Sequence, residues 1–458
     1  MVTRWESKEG NRTNKRASNP DGGGHLGEGE LLTISQSLLQ REKERSMDEY
    51  MGVGYLRHKL NQKRGRVRLR YKYYEMKNYV RDFGISTPPE LRGFTSSLGW
   101  CAKAVDSLAD RVVFNEFRND TLDMNGIFQM NNPDILFSSA ELSAMIASCA
   151  FIYIAPTEKK WDVPKMQVID GGNATGIIDP ITGLLKEGYA VLERDEYGVV
   201  KTEAYFTPNQ IQYFYKGKDY VDVIDHPVGY PLLVPVIYRP GAVRPFGHSR
   251  ISRACMSLVS SAIRTVKRSE ISAEFFSYPQ KWVTGLSEDN EIADKWRATM
   301  ATLIAITKDE DGDKPTFGQF AQQSMTPHTD HLKMFASMFA GETGLTLDDL
   351  GFPTANPSSA DAIKASHDSL RLTARSAQRS FGSGFRNAGY LAACLRDEME
   401  YNRSVACSAI AAWEPIFEPD ASMLSAIGDG VLKLNQSVDG YVDEELMGDL
   451  TGIRKIGE

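Results

Sequence analysis

The sequence has few of the features that mark a secreted, disulfide-stabilised or membrane-spanning protein. Its 458 residues include five cysteines, an odd number without a CxxC pair, which argues against a disulfide framework or a zinc module. The N-terminal residues are polar and lack the apolar segment of a signal peptide. The longest apolar stretches, such as residues 146–155, are too short to span a membrane. We therefore expect buried free thiols in a reducing compartment and no membrane partner.

Motifs that carry enzyme chemistry are also missing. The chain has no Walker A sequence, no GxGxxG and no HExxH. His328, Asp330 and His331 lie close together, but a third strong ligand is missing nearby, so a polar helix start is favoured over a metal site. GlyHisSerArg at 247–250 lacks the second glycine of a hydrolase elbow, and we expect Ser249 to cap a helix there. The sequence predicts no enzyme and no cofactor.

The charge balance is mildly acidic, with 53 Lys and Arg against 60 Asp and Glu. A net charge of −7 argues against a dedicated nucleic-acid binder, but two local basic features remain. Residues 63–72 alternate basic with apolar residues, which fits a charged face of a helix or edge strand, or contacts with phosphates. The second feature is a stripe of Lys364, Arg371, Arg375, Arg379 and Arg386 at helical spacing. It faces solvent, acids of a neighbouring subunit, or nucleic acid.

The pattern along the chain predicts a multi-domain α+β protein. Residues 1–30 are rich in Gly, Asn, Ser and charge, so we expect a mostly disordered extension over 1–45. Residues 46–130 are mainly helical, with an amphipathic helix between Leu98 and Val113. Short β-branched and aromatic runs with turn residues between them predict strands over 150–240.

Helical periodicity returns after residue 246. It runs from Gly247 to about Phe276 and again over 329–343, with strand candidates and an acidic turn (309–313) between the two helices. From Ser358 an apolar stripe continues for about 40 residues, roughly 60 Å of helix, which Gly382 and Gly384 are expected to bend. The tail holds helices near 422–434 and 443–450.

Seven segments, read in order, carry a resemblance to a known family. They include SLGWCAKAVDSLADRVVF (97–114) and NPSSADAIKAS (356–366), and the others are 170–183, 230–240, 247–252, 276–285 and 343–350. Over about residues 50–450 the chain resembles the portal proteins of tailed bacteriophages. The resemblance implies an elongated subunit with named parts. These are a wing (46–246), a first stem helix (247–276), a clip (277–326), a second stem helix (327–343), a tunnel loop (344–357), a long wing helix (358–404) and a short crown-like tail (405–458).

The same resemblance implies a structural function. Portal proteins form a homo-oligomeric ring, usually of twelve subunits, at one capsid vertex of the virion, after assembly in the host cytoplasm. Double-stranded DNA is packaged and ejected through the ring, on which terminase and the head–tail connector dock. The major capsid and scaffold proteins are further implied partners. The alternatives are another structural or connector protein of the virion, or a nucleic-acid-processing enzyme, which would need clustered carboxylates and a metal.

Three sets of residues are the candidate contact sites under this resemblance. The candidate tunnel-loop residues are Thr346, Asp348, Asp349, Phe352 and Asn356. The candidate clip contacts are Lys281, Trp282, Asp309, Asp311 and Asp313. The basic stripe that starts at Lys364 is the candidate DNA-facing set. An acidic subunit fits a channel in which DNA slides, because uniform attraction for phosphates would hold the DNA in place.

Overall fold

The computed structural model describes most of the chain after residue 50. The described residues are 51–81, 93–156, 163–218, 220–277, 281–284, 316–319, 324–353, 365–417, 419 and 421–453. Those from Gly52 onward belong to one compact unit. The predicted extension 1–45 lies outside the described residues. The mixed helix and sheet content that the sequence predicted is confirmed.

Helices dominate the first part of the compact unit. The elements are α1 (Gly52–Tyr74), α2 (Trp100–Ala109), β1 (Phe114–Arg118), α3 (Met124–Gln129) and α4 (Pro133–Ala147). The amphipathic pattern predicted before residue 113 is α2, which buries its apolar face because the apolar residues recur every three or four positions.

Two antiparallel sheets follow, in the region where short β-branched and aromatic runs predicted strands. Their strands are β2 (Cys149–Ala155), β3 (Lys165–Asp170), β4 (Ala174–Ile178), β5 (Leu185–Arg194), β6 (Val200–Phe206), β7 (Gln210–Tyr215), β8 (Val221–Asp225) and β9 (Leu233–Ile237). The order is β3-β2-β9 in one sheet and β4-β5-β6-β7-β8 in the other. β2 is buried at six of seven positions, whereas the edge strand β8 is exposed at all five.

The second half returns to helices, with two short ribbons. It contains α5 (Arg253–Ser277), β10 (Lys281–Thr284), β11 (Thr316–Gln319), α6 (Thr326–Thr343), α7 (Asp368–Arg396), α8 (Arg403–Cys407), β12 (Ile410–Trp413), α9 (Ala421–Ser437) and α10 (Glu444–Thr451). β10 pairs with β11, and β12 returns to pair with β1. α5 begins six residues later than its predicted start at Gly247, and the first residues predicted for the long helix, 358–364, lie outside the described residues.

The helix α7 is continuous through Gly382 and Gly384. Glycine at these positions allows close packing. A Cβ on Gly382 would lie 2.9 Å from the Cβ of Ala411, and one on Gly384 would lie 3.3 Å from the Pro235 carbonyl oxygen. The small residues therefore bring β12 and β9 against the helix.

An aromatic cluster joins α7 to the elements around it. Phe114 of β1, Phe137 of α4, Phe385 of α7 and Trp413 of β12 form this cluster. Ring centroids are 4.5 Å apart for Phe114 and Phe137, 4.6 Å for Phe137 and Phe385, and 5.3 Å for Phe114 and Trp413. Tilted and edge-on rings at these distances add to the burial of apolar surface. Four segments that are distant in sequence thus share one core.

The cysteines follow the expectation of buried free thiols with one exception. All five are free, and Cys101, Cys149, Cys255 and Cys394 are buried, whereas Cys407 is exposed at the end of α8. Burial raises the pKa of the Cys101 thiol, so this group is held in its neutral form. No helix among the described residues is long and apolar enough to cross a membrane.

Candidate functional site

The candidate site is the helix pair α5 and α6 with the loop that follows α6. Two serines, Ser249 and Ser252, lie just before the start of α5. Ser252 Oγ accepts a hydrogen bond from the N–H of Cys255 at 3.1 Å and caps α5. Ser249 Oγ donates to the carbonyl oxygen of Ile146 at 2.6 Å. The prediction that Ser249 caps the helix is therefore wrong. Ser249 instead fastens the preceding loop to α4.

Arg250 is a buried arginine that sequence reasoning missed. Its Nε donates to the carbonyl oxygen of Ala104 at 2.9 Å, and its Nη2 donates to that of Thr343 at 2.7 Å. The second contact places a positive charge at the C-terminal end of α6, where helix carbonyls without partners carry partial negative charge. Arg250 thus holds α2 and the end of α6 together, and no local pattern signals this role.

The two helices α5 and α6 pack against each other and against α2. Phe339 of α6 is buried with its ring 5.6 Å from that of Trp100. The hydroxyl oxygen of Thr265 in α5 lies 3.4 Å from Nδ1 of His331. The ring centroids of His331 and Phe335 are 4.6 Å apart, and the two rings are tilted. His331 therefore belongs to the contact between the helices. In the part of the chain that the structure describes, no three His, Cys, Asp or Glu side chains could hold a metal ion.

The described part of the candidate tunnel loop is fixed by its own side chains. Asp349 accepts hydrogen bonds from the N–H and the hydroxyl of Thr346 at 2.9 and 2.8 Å. Phe352 is half-buried against the core, and Asp348 is exposed. Asn356 lies outside the described residues. Thr346 and Asp349 thus shape the loop, and the loop presents Asp348.

The structure divides the basic stripe into residues with different surroundings. Arg371 forms an ion pair with Asp368 at 2.5 Å. Arg375 and Arg379 are exposed, and they form no ion pair or hydrogen bond with any described residue. Arg386 is half-buried and donates to the carbonyl oxygen of Ala409 at 3.5 Å. Lys364 lies outside the described residues. These residues share helical spacing in sequence, but their electrostatic environments differ.

The candidate clip contacts are described only in part. Lys281 and Trp282 lie on β10, and they pair with Gln319 and Gly318 of β11. Asp309, Asp311 and Asp313 lie outside the described residues. The strand predicted at 281–284 is confirmed as β10, whereas its partner β11 (Thr316–Gln319) was not predicted, and the other strand candidate, 303–307, lies outside the described residues.

The basic run 63–72 lies on α1, and part of it faces the core. Lys63 Nζ lies 5.3 Å from the ring centroid of Phe151, and burial lowers its pKa. Arg70 donates to the carbonyl oxygen of Ala147 at 3.1 Å. Arg66 and Arg68 are exposed. The interpretation of this run as a charged helix face therefore holds for only some of its members.

Comparison with known proteins gives one consistent result. The family model described as phage portal protein, SPP1 Gp6-like, matches residues 53–406. The portal protein of Mycobacterium phage D29 is 25% identical over 341 residues, which cover 70% of this chain and 69% of that protein. The portal protein of Mycobacterium phage L5 is 24% identical over 337 residues, covering 69% and 68%.

Similarity to solved structures was also found. A chain from the neck of an empty gene transfer agent particle, computed with C6 symmetry, has a TM-score of 0.45 and 13% sequence identity. The match covers 83% of this chain and 98% of that chain. The family match runs from α1 to α8 and includes the helix pair, the β10–β11 ribbon, the loop and all of α7. The chain therefore belongs to the phage portal protein family, SPP1 Gp6-like.

Proposed function

We propose that copies of this chain form a closed ring at one vertex of a virion, and that double-stranded DNA enters and leaves the particle through it. The observation that carries this proposal is the family match, because it spans both packed helices and the segments that connect them. In this assignment α5 and α6 are the stem, the β10–β11 ribbon belongs to the clip, and α7 is the long wing helix. The function is steric and electrostatic guidance of DNA, without covalent chemistry.

The surface of the described chain supports an assembly of subunits. Met334 and Met338 of α6 are exposed large apolar residues, β8 is exposed at every position, and α9 buries no residue. Apolar side chains that one chain leaves in water are a common mark of protein interfaces. We assign these surfaces to contacts with other copies of the chain and with the terminase, the head–tail connector, and the capsid and scaffold proteins.

The tunnel loop is the part that we assign to the channel. Its exposed acid, Asp348, repels phosphates and limits the attraction that would otherwise hold DNA in the ring. Asp348→Lys should leave ring formation intact and slow the passage of DNA. The matched control is Asp439→Lys, which makes the same charge change at an exposed residue between α9 and α10. Equal DNA packaging by both variants would contradict a channel role for the loop.

The ring itself is tested on the purified full chain by native mass spectrometry and electron microscopy. The expected result is a closed ring, with a subunit number of twelve. A monomer under all conditions, together with particles that lack a ring of this chain at a vertex, would overturn the proposal. Symmetric closure needs two different surfaces on each copy that fit one another.

A further inference from the structure

A small acidic pocket lies between α2 and α4, beside the start of β1. The cavity has a volume of about 350 Å³. Four of its lining residues are acids: Asp106, Asp110, Asp134 and Glu141. No Lys, Arg or His lines it among the described residues. We call these four residues with their cavity the acidic pocket.

Glu141 gives this pocket a buried carboxyl group without a partner. The residue is only 3% exposed, and its Oε1 is buried with no hydrogen-bond partner among the described residues. An isolated carboxylate is costly to bury, and burial raises the pKa of Glu141 well above its usual range. An arriving cation would stabilise the ionised form. Glu141 is the one charged residue among the mostly apolar buried residues of α4, and this is the signal for it in the sequence.

The rest of the pocket favours a cation that is carried on a side chain. Asp106 accepts a hydrogen bond from the Tyr74 hydroxyl at 2.9 Å, while Asp110 and Asp134 are exposed at the rim. The side chains of Asp110 and Asp134 form no hydrogen bond or ion pair with described residues. The acids of this pocket do not converge as a metal site would. A guanidinium group can satisfy separated carboxylates because its five N–H donors point in several directions.

A basic groove of the opposite character lies along α7 and β12. Its cavity has a volume of about 520 Å³, and Arg375, Arg379 and Arg386 line it without an acid among the described residues. Arg375 and Arg379 are the two members of the stripe that have no ion pair or hydrogen bond within the described chain. We call these three arginines with their cavity the arginine groove.

Exposed apolar side chains flank both features. Leu372 and Ile410 beside the arginine groove are 56% and 59% exposed, and Ile135 beside the acidic pocket is 70% exposed. Val113 lines the acidic pocket and is also exposed. Arginine mixed with apolar side chains is typical of the centre of a protein interface, whereas the sugar-phosphate backbone offers little for Leu372 and Ile410 to contact. The groove therefore favours a protein occupant over DNA.

The two features are separate surfaces of the same subunit. They share no lining residue, and the aromatic cluster contributes to both. Phe114 and Phe137 line the acidic pocket, and Trp413, whose ring centroid is 5.3 Å from that of Phe114, lines the arginine groove. Each copy thus presents two unlike surfaces of opposite charge. Such surfaces can join copies head to tail, which is the contact that a ring repeats.

We propose that Arg375 and Arg379 of one copy enter the acidic pocket of the next copy and pair there with Asp110, Asp134 and Glu141. This inference rests on the proposed ring and names the contact that closes it. The contact gives partners to three groups that have none within the described chain: the buried carboxyl of Glu141 and the guanidinium groups of Arg375 and Arg379. Leu372 and Ile410 then cover apolar surface around the pocket of the neighbour.

The decisive test uses two charge-reversed variants of the full chain. The first is Arg375→Glu with Arg379→Glu, and the second is Asp110→Arg with Asp134→Arg. All four side chains are exposed, so each subunit should fold. Each variant alone presents two surfaces of like charge, and neither should form rings. Mixed in equal amounts, they should form rings of alternating subunits, because every contact then joins opposite charges.

Native mass spectrometry of the mixture gives the composition of each ring. The control is Lys165→Glu with Lys186→Glu, which changes the net charge as the Arg375→Glu, Arg379→Glu variant does, at exposed residues outside both surfaces, and it should form rings alone. Rings from either reversed variant alone, or no rings from the mixture, would overturn the inference. Normal rings of the arginine variant with weaker DNA retention would also overturn it and assign the groove to DNA. A wild-type chain that never forms rings would instead overturn the proposed function.

A second variant separates pairing from a purely structural role of Glu141. Glu141→Gln keeps the shape of the side chain and removes its charge. In the isolated subunit, the thermal midpoint should stay equal or rise, because the buried carboxyl has no partner there. Ring assembly should need about tenfold more subunit, since each contact loses a charged partner. Unchanged assembly, or a less stable isolated subunit, would contradict the role assigned to Glu141.

Discussion

The helices α7 and α9 both have an apolar face in sequence, but only α7 buries that face within its own chain. The helix α7 buries its apolar stripe against β9, β12 and the aromatic cluster, and Phe381 and Phe385 are fully buried. The helix α9 is also amphipathic in sequence, but it buries no residue, and Leu432 is 60% exposed. The strands repeat the contrast, since β2 is buried and β8 is exposed. An apolar face therefore predicts that a helix or strand packs against another surface, but that surface need not belong to the same chain.

The largest expected change in the free energy of unfolding comes from a cavity in the buried face of α7. Phe385→Ala removes a ring that contacts Phe114, Phe137 and Trp413. The cavity and the lost burial should lower the free energy of unfolding by about 3–5 kcal/mol. Urea unfolding of the isolated subunit, followed by fluorescence, measures this change.

The matched control is Leu372→Ala on the exposed face of the same helix. Because Leu372 is in contact with water, this change should alter the free energy of unfolding by no more than about 0.5 kcal/mol. Similar losses for the two variants would mean that α7 is not held by its buried stripe.

The next largest effect should come from Arg250, which joins α2 to the end of α6. Arg250→Met keeps much of the side-chain volume but leaves the carbonyl oxygens of Ala104 and Thr343 without their donor. We expect a loss of about 2 kcal/mol in the free energy of unfolding. Hydrogen exchange should also increase in the last turn of α6. Faster exchange spread evenly over the molecule would show a general loss of stability and would contradict this local role.

The next prediction concerns the pH dependence of stability and the residue His226. All five residues of β8 are exposed, but His226, which directly follows this strand, is buried. Burial lowers the pKa of His226 to about 4, from an ordinary value of 6.5. The unfolded chain therefore takes up a proton near pH 6.5, and the folded chain does so only near pH 4. The contribution of His226 to stability is complete above pH 6.5 and is lost as the pH falls through this window.

Thermal midpoints measured between pH 4 and 7 check this expectation. The midpoint should fall with decreasing pH, and His226→Gln should make the fall shallower, because Gln takes up no proton. The same slope in both proteins would show that other groups cause it.

The smallest change in the free energy of unfolding is expected for the exposed apolar face of α9. Leu432→Glu on α9 should change the free energy of unfolding of the isolated subunit by at most about 0.5 kcal/mol, since Leu432 touches little of its own chain. Urea unfolding beside the Phe385 variant gives the direct contrast. A loss of several kcal/mol would show that α9 packs within its own subunit.

Local periodicity explains which parts of the fold could be predicted. The amphipathic helix before Val113, the strands between 150 and 240 and the long helix through Phe385 all have apolar spacings that match one secondary structure. Helix starts were less predictable. Ser249 has the right chemistry for a cap, but its hydroxyl is bound to the carbonyl oxygen of Ile146, more than 100 residues earlier.

The candidate site also combines features that the sequence predicts with features that depend on the tertiary structure. The sequence alone indicated the family, the helical and strand-rich regions and the helical spacing of the basic stripe. Only the tertiary structure decided that Arg250 lies buried between Ala104 and Thr343, and that Glu141 faces a pocket of acids. The reason is physical: spacing along the chain sets which face of a helix a residue occupies, whereas its charge environment depends on segments that folding brings from elsewhere.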